Sequence, residues 1–180
     1  MARSSGQLLV CYHAKDTDRR DLACRDSSAE PLCPFGFGLS YTTFSYSDII
    51  VSPAHISAHA LTRGATVQVS VRVTNQGSLA GSEVVQLYLT RQQASVVRRV
   101  RELKELGKVS LPPGESQVVR LPLTAEALAL WNARMEFAVE PQDITVWVGP
   151  SSQTAAHALL HITHGDETPE AGTGRMEDPC

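Results

Sequence analysis

Hydrophobic and polar residues alternate most regularly over residues 67–74. Valine takes every second position, and glutamine, serine, arginine and threonine fill the positions between. A period of two places the two sets of side chains on opposite faces of an extended chain. The pattern predicts a strand with one buried and one hydrated face. A second apolar run at residues 84–89 follows a connection rich in turn formers, and we expect the two runs to form an antiparallel pair.

Short apolar segments separated by Gly, Pro and Asn continue along the chain. They predict strands at 44–51, 103–111, 117–123, 135–139, 144–148 and 158–163, and Thr124 is expected to cap one helical turn. Long helical periodicity is missing from the sequence. We therefore predict an all-β fold, an antiparallel immunoglobulin-like or fibronectin type III-like β-sandwich of about seven strands with disordered termini.

Composition and charge exclude several classes of partner. A chain of 180 residues with 42% hydrophobic residues fits one ordinary domain, and a net charge of −3 gives no reason to expect nucleic-acid binding. No apolar run reaches the ~18 residues that a spanning helix needs, so no membrane partner is expected. The apolar run at residues 8–10 is shorter than the ~7–15 residues of a signal peptide, which leaves the compartment open.

No cofactor or metal site is predicted. The four cysteines lack metal-ligand spacing and are expected to be thiols, with a Cys24–Cys33 disulfide as the alternative in an oxidising compartment. His157, His161 and His164 would share one face of a helix. In the strand predicted for this segment, the first two lie ~13 Å apart and the third points the other way, which disfavours a metal site.

An aromatic-rich segment with two glycines precedes the first strand, over residues 31–44 (PLCPFGFGLSYTTF). Glycine gives the backbone freedom, and the rings need an apolar surface to pack on. A sandwich alone offers no obvious surface of this kind. The four side chains expected to contact another protein body are Phe35, Phe37, Leu39 and Tyr41.

This segment resembles the PLYPFGYGLSYTTF signature that ends the second catalytic domain of glycoside hydrolase family 3 enzymes. Residues 71–77, 81–88, 101–104, 113–115 and 146–152 resemble that family's C-terminal fibronectin type III-like domain, in the same order. The likeness covers about residues 30–152, whereas residues 14–29 depart from the family pattern. It implies a neighbourhood of β-glucosidases and β-xylosidases, which cleave with retention through an Asp nucleophile and a Glu acid/base.

Neither catalytic motif of that family has a counterpart in this chain, so an activity of the chain alone is not expected. The pattern and the resemblance together divide the sequence into four parts. These are a poorly ordered N-terminal segment (1–30), an interdomain signature segment (31–44), a fibronectin type III-like domain (45–164) and a disordered acidic tail (165–180).

Candidate chemistry elsewhere is weak. A retaining glycosidase needs two carboxyl groups about 5–5.5 Å apart, and the acids available are expected to be hydrated surface groups. They are Glu102 with Glu105, Glu136 with Glu140, and Asp143. An aromatic platform for sugars would need Trp131, Trp147 and Tyr88 on one exposed face. We expect Trp131 to lie in the core and Trp147 to pack under a loop or against another domain.

Three hypotheses for function remain open from the sequence. The first is a non-catalytic accessory domain that supports the catalytic domains of a family 3 glycoside hydrolase or another protein surface. The second is a stand-alone binding module for polysaccharide or protein, which would use Trp147, Arg98, Arg99 and Arg101. The third is a fragment of a complete enzyme.

Overall fold

The chain folds into ten strands and two short helices within the part that the computed structural model describes, residues 31–92, 94–96 and 99–165. The strands are β1 (Phe44–Ser52), β2 (His55–Ser57), β3 (Val67–Asn75), β4 (Gly81–Arg91), β5 (Glu102–Leu111), β6 (Ser116–Leu123), β7 (Leu130–Trp131), β8 (Phe137–Ala138), β9 (Gln142–Gly149) and β10 (His157–Thr163). The helices are α1 (Ala58–Thr62) and α2 (Ala125–Leu128).

Two sheets face each other and enclose one hydrophobic core. The first has the strand order β1-β3-β6, and the second has the order β2-β10-β9-β4-β5. Every pair in them is antiparallel except β10 with β2. The alternating valines of β3 are fully buried, and the inward side chains of β4 and β9 pack opposite them. The predicted all-β sandwich is confirmed, because alternating strands bury their apolar faces against a second sheet.

The predicted pairing of the first two apolar runs is wrong. The strand β3 is central in its sheet, as expected, but it pairs with β1 and β6, whereas β4 pairs with β5 and β9 in the other sheet. The connection between them crosses from one layer to the other. An alternating pattern shows that a strand has one apolar face. It does not show which strands are its neighbours in the sheet, because two consecutive strands can also bury their apolar faces against each other from opposite sheets.

Other differences concern short elements. The strand predicted at 135–139 shrinks to β8, which pairs only with β7. Trp131 was expected in the core but lies on β7 with 61% of its surface exposed. The elements β2 and α1 are too short to show a period, although Ser57 caps α1 by accepting from the Ala60 amide. The predicted cap at Thr124 is confirmed by its side chain, which accepts from the Ala127 amide.

Some predictions fall outside the described residues. These are the order of residues 1–30, the acidic tail beyond Gly165 and the pairing of Cys24 with Cys33. Among the described residues, no helix is both long and apolar enough to cross a membrane.

Candidate functional site

The signature segment, residues 31–44, displays apolar side chains on the surface of the sandwich. Leu39 is 92% exposed and Tyr41 98% exposed, while Phe35 and Phe37 are about half exposed at 46% and 52%. Large apolar side chains gathered in one surface segment are typical of a contact site. The four residues that the sequence predicts for interdomain contact therefore lie together, and the structure leaves two of them almost bare.

A first anchor fixes the segment at Phe35 and Gly36. The Gln86 side-chain amide, on the outer face of β4, donates to the Gly36 carbonyl at 2.9 Å. The amide of Ser152, in the loop after β9, donates to the Phe35 carbonyl at 2.9 Å. These contacts join the segment to residues at least 50 positions away in sequence.

A second anchor fixes the end of the segment. The Thr42 hydroxyl donates to the Asn75 side-chain oxygen at 2.6 Å, and the Gln76 amide donates to the Thr43 carbonyl at 2.8 Å. Asn75 is itself fully buried. The residues between the two anchors are therefore held at both ends and turned outward in the middle, where a Cβ added at Gly38 would meet only open space.

A hydrogen bond between the two sheets lies near the second anchor. The Tyr46 hydroxyl of β1 donates to the Glu83 carboxylate of β4 at 2.9 Å. Burial raises the pKa of Glu83, and the hydrogen bond from Tyr46 offsets part of that rise. Burial and the neighbouring Glu83 charge also raise the pKa of Tyr46, which keeps this phenol protonated as the donor.

Trp147 lies half-buried on the outer face of β9, and its ring is already contacted by neighbours. The Arg101 guanidinium carbon lies 3.9 Å from the ring centroid, and the His157 ring lies 4.7 Å away. The indole nitrogen donates to the Thr90 hydroxyl at 3.0 Å. Burial lowers the pKa of Arg101. These contacts favour a packing role for Trp147, and a contact with glycan stays a prediction.

Of the other rings weighed for a sugar platform, Tyr88 lies directly opposite Trp147 in the pairing of β4 with β9, but its side chain is buried. The Trp131 ring lies on the β7–β8 hairpin, tilted by 45° against the Phe137 ring with centroids 5.5 Å apart, so the three rings do not form one exposed face. Arg99 is exposed, and Arg98 lies outside the described residues. Of the residues predicted to contact glycan, the structure brings together Trp147 and Arg101.

The acidic residues on β5 make local contacts. Glu102 forms a 3.0 Å ion pair with Lys104, and Glu105 is half-buried in the same strand. Burial raises the pKa of Glu102, but the positive charges of Lys104, Arg91 and Arg99 outweigh burial and lower it overall. A carboxyl group held ionised in this way suits an ion pair better than a general acid.

Glu136 and Glu140 line a surface depression of about 510 Å³ beside the β7–β8 hairpin. The Glu140 carboxylate accepts from the Ser95 hydroxyl at 2.7 Å and from its amide. The Glu136 carboxylate accepts from the Asn132 amide at 3.1 Å and pairs with Arg134 at 3.3 Å. Both carboxylates therefore fasten neighbouring loops.

The histidines follow the strand that was predicted for them. His157 and His161 lie on β10, and His164 lies beyond its end. His161 bonds Asp143 at 2.7 Å and stacks on His55 with ring centroids 4.7 Å apart. In the part of the chain that the structure describes, no three His, Cys, Asp or Glu residues are arranged to hold a metal ion.

Sequence reasoning missed the residues that hold the signature segment. Gln86 interrupts an otherwise apolar run, and Asn75 ends the valine strand. A polar residue inside a buried strand is the signal that could have found them, because buried amides need several hydrogen-bond partners.

Comparison with known proteins supports the fibronectin type III-like fold. Residues 83–152 match the fibronectin type III-like domain. The chain is 39% identical over 159 residues to the periplasmic β-glucosidase of Salmonella typhimurium, which covers 83% of the chain and 20% of that protein. It is also 39% identical over 152 residues to a putative β-xylosidase of Formosa agariphila, covering 83% of the chain and 19% of the relative.

Solved structures show the same likeness. A β-glucosidase from Erythrobacter marinus superposes with a TM-score of 0.82 at 37% identity, over 91% of the chain and 21% of that protein. The β-glucosidase of Listeria innocua gives a TM-score of 0.77 at 32% identity, over 91% and 23%. A further match is a glycoside hydrolase family 3 β-glucosidase of Bifidobacterium adolescentis, with a TM-score of 0.63 at 37% identity, over 72% of the chain and 18% of that protein.

The chain spans about a fifth of the length of the relatives it matches. The match with the domain family lies within the sandwich, and the longer matches to whole proteins also include this region. The chain therefore contains a region, residues 83–152, that matches the fibronectin type III-like domain, and the proteins it resembles are β-glucosidases and β-xylosidases, one of them a glycoside hydrolase family 3 enzyme.

Proposed function

We propose that this chain serves as a non-catalytic accessory domain of a family 3 glycoside hydrolase, and that its signature segment docks on the catalytic domains. The observation that carries the proposal is the outward display of Phe37, Leu39 and Tyr41 between two anchors. The proposed activity of the complete protein is exo-hydrolysis of β-glucosides or β-xylosides with retention. This part of the proposal rests on relatives that are about five times longer than the chain.

Physical chemistry supports docking at this segment. Burying an exposed leucine or aromatic side chain contributes about 1.5–3 kcal/mol, so Leu39 and Tyr41 together could contribute several kcal/mol on contact with an apolar surface. The anchors reduce the entropy that the segment loses on docking, because its ends are already fixed. The segment is therefore preorganised for docking.

A chimeric protein tests the proposal. Residues 31–165 of this chain would replace the matching region of the Salmonella β-glucosidase, and β-glucosidase activity and the midpoint of thermal unfolding would be measured. We expect an active chimera. The double change Leu39→Ser with Tyr41→Ser should lower its unfolding midpoint by roughly 3 °C or more, since apolar contact with the catalytic domains is lost.

Two controls make the test specific. Met135→Ser removes a side chain that is 78% exposed on the β7–β8 hairpin and should leave the chimera unchanged. The Leu39 and Tyr41 double variant of the isolated chain should unfold within about 0.5 kcal/mol of the parent chain, as exposed surface substitutions do. An unchanged chimera carrying the double variant would refute the docking proposal.

A further inference from the structure

The Gln86 side chain lies where three parts of the chain meet. Its amide nitrogen donates to the Gly36 carbonyl at 2.9 Å and to the Pro150 carbonyl at 2.6 Å. Its amide oxygen accepts from the Tyr88 hydroxyl. Gln86 and Tyr88 are both buried, although they lie on the outer face of the sheet. The signature segment and the loop after β9 therefore share one side-chain donor.

The carbonyls of Gly36 and Pro150 decide which way this amide points, because they can only accept, whereas the Tyr88 hydroxyl can donate or accept. With that hydroxyl donating to the amide oxygen, both amide hydrogens face the carbonyls of Gly36 and Pro150. A carboxylate at the same position would present an oxygen to two carbonyl oxygens, and both would lose their donor. The site therefore requires glutamine rather than its acidic counterpart.

Glycine is the only residue type that fits at position 36 against this amide. Its φ is +78°, and a Cβ added there would lie 2.0 Å from the Gln86 amide oxygen and 2.8 Å from the Tyr88 hydroxyl. The first glycine of the signature segment thus allows the backbone to approach the amide directly.

Arg101 supports the same loop from the other side. Its guanidinium donates to the carbonyls of Ser152 and Thr154, the second at 2.8 Å, while it stacks over Trp147. The Ser152 amide in turn donates to the Phe35 carbonyl. The loop of residues 150–154 is therefore held by Arg101 on one side and supports the signature segment on the other.

We propose that Gln86 is a positioning residue for the docking surface, with Arg101 as its second support through the loop 150–154. Gln86 sets where Phe35, Phe37 and Leu39 stand on the sandwich, and it does so from beneath the segment, where a docked protein does not reach it. This inference rests on the proposed docking function and adds the residue that prepares the surface for it. Loss of Gln86 weakens docking by releasing the segment, because a released segment must be ordered again on contact.

Hydrogen exchange of the isolated chain tests whether Gln86 holds the signature segment in place. In Gln86→Glu, the amides of Ser152 and Phe37 should exchange about tenfold faster or more, because they donate to the Phe35 and Pro34 carbonyls of the released segment. The Gln76 amide at the second anchor should be unchanged. Gln117→Glu makes the same substitution at an exposed position on β6 and should leave all three amides unchanged. Unaltered exchange at Ser152 and Phe37 in Gln86→Glu would overturn the inference.

A double-mutant cycle in the chimera separates positioning from general destabilisation. Each variant lowers the unfolding midpoint of the chimera and that of the isolated chain. The difference between these two decreases measures the effect on docking. Gln86→Glu should cause such a loss in the parent chimera and almost none when Leu39→Ser and Tyr41→Ser are already present, because it acts through those side chains. An equal loss in both backgrounds would show a merely structural role and overturn the inference.

The two proposals fail in different ways. If the Leu39 and Tyr41 double variant leaves the chimera unchanged, docking is refuted and the positioning role falls with it, whatever the exchange data show. If that double variant weakens the chimera and Gln86→Glu does not, docking stands and the positioning role is overturned.

Discussion

Two regions of the molecule expose large apolar side chains, and they are held in different ways. The signature segment displays Leu39 and Tyr41 between anchors supplied by distant strands and loops. The β7–β8 hairpin displays Trp131, Met135 and Phe137, but it is organised locally by Asn132. The comparison teaches that exposure alone does not mark a docking surface. A segment that is anchored to several parts of the fold has a fixed position on the sandwich before a partner binds. A hairpin that is held only by its own residues has a fixed turn, but its position on the sandwich is less restricted.

Removing Asn75, the asparagine at the base of the signature segment, should have the largest effect. The Asn75 side chain accepts from Thr42 and Gly77 and donates to the Leu79 and Leu111 carbonyls at 2.8 and 3.0 Å. Asn75→Ala should lower the free energy of unfolding by about 2–4 kcal/mol, since it leaves buried partners unpaired.

The matched change Asn132→Ala should cost about 1 kcal/mol. The Asn132 side chain is buried like that of Asn75, but the Arg134 and Glu136 amides from which it accepts belong to exposed residues, so water can reach these amides once the side chain is removed. Urea unfolding of both variants of the isolated chain measures the difference. Equal losses would remove the distinction between a segment held by the fold and a hairpin held by itself.

A glycine substitution sharpens the comparison at the first anchor. Gly36 and Gly114 have nearly the same φ, +78° and +75°, but a Cβ would strike Gln86 at Gly36 and meet open space at Gly114. Gly114→Ala should cost about 1 kcal/mol from backbone strain alone. Gly36→Ala should cost about 1–2 kcal/mol more, because the amide must also move.

Denaturant unfolding of the two alanine variants checks this prediction. A clash would also show as faster exchange of the Ser152 amide in Gly36→Ala and not in Gly114→Ala. If both variants lose the same stability, Gly36 is needed for its φ alone and the close approach of Gln86 contributes nothing.

The smallest expected effect is a pair of opposite pH dependences. Burial raises the folded-state pKa of Glu83 near the signature segment, so the ionised group destabilises the fold at neutral pH. Relative to Glu83→Gln, the parent chain should gain stability as the pH falls from 7 towards the ordinary glutamate value of about 4.3.

Glu102, whose ion-pair partner Lys104 lies on the same strand, should behave in the opposite way. Its folded-state pKa is lowered overall, so its contribution to stability is present above the unfolded value and is lost as the pH falls through the folded value. The advantage of the parent chain over Glu102→Gln should therefore shrink on acidification. Urea unfolding at several pH values from about 8 down to about 3 measures both differences, because the loss at Glu102 falls below the ordinary glutamate pKa of about 4.3. Parallel trends in the two variants would contradict these assignments.

Local pattern in the sequence predicts much of this fold. The alternating valines of β3 are all buried, and Thr124 caps its helical turn. The exposed state of Leu39 and Tyr41 also follows from a sequence whose aromatic segment has no obvious partner in the sandwich. These features depend on a few consecutive residues, so they can be predicted from the sequence.

Features that depend on distant residues were missed or misread. The strands β3 and β4 lie in different sheets although they are consecutive, and Trp131 stands outside the core although leucine precedes it. Gln86 became meaningful only when Gly36 and Pro150 were found beside it. Contacts across 50 or more residues leave no period in the sequence.

The sequence by itself determined which segments extend, which of their faces are apolar and which side chains remain for a partner. Tertiary structure alone decided which strands are neighbours, which polar groups fasten the signature segment and where the tryptophans lie. The physical reason is that the period of a strand is set by the covalent backbone, whereas pairing and anchoring are chosen by packing and hydrogen bonding among residues that meet only after the chain folds.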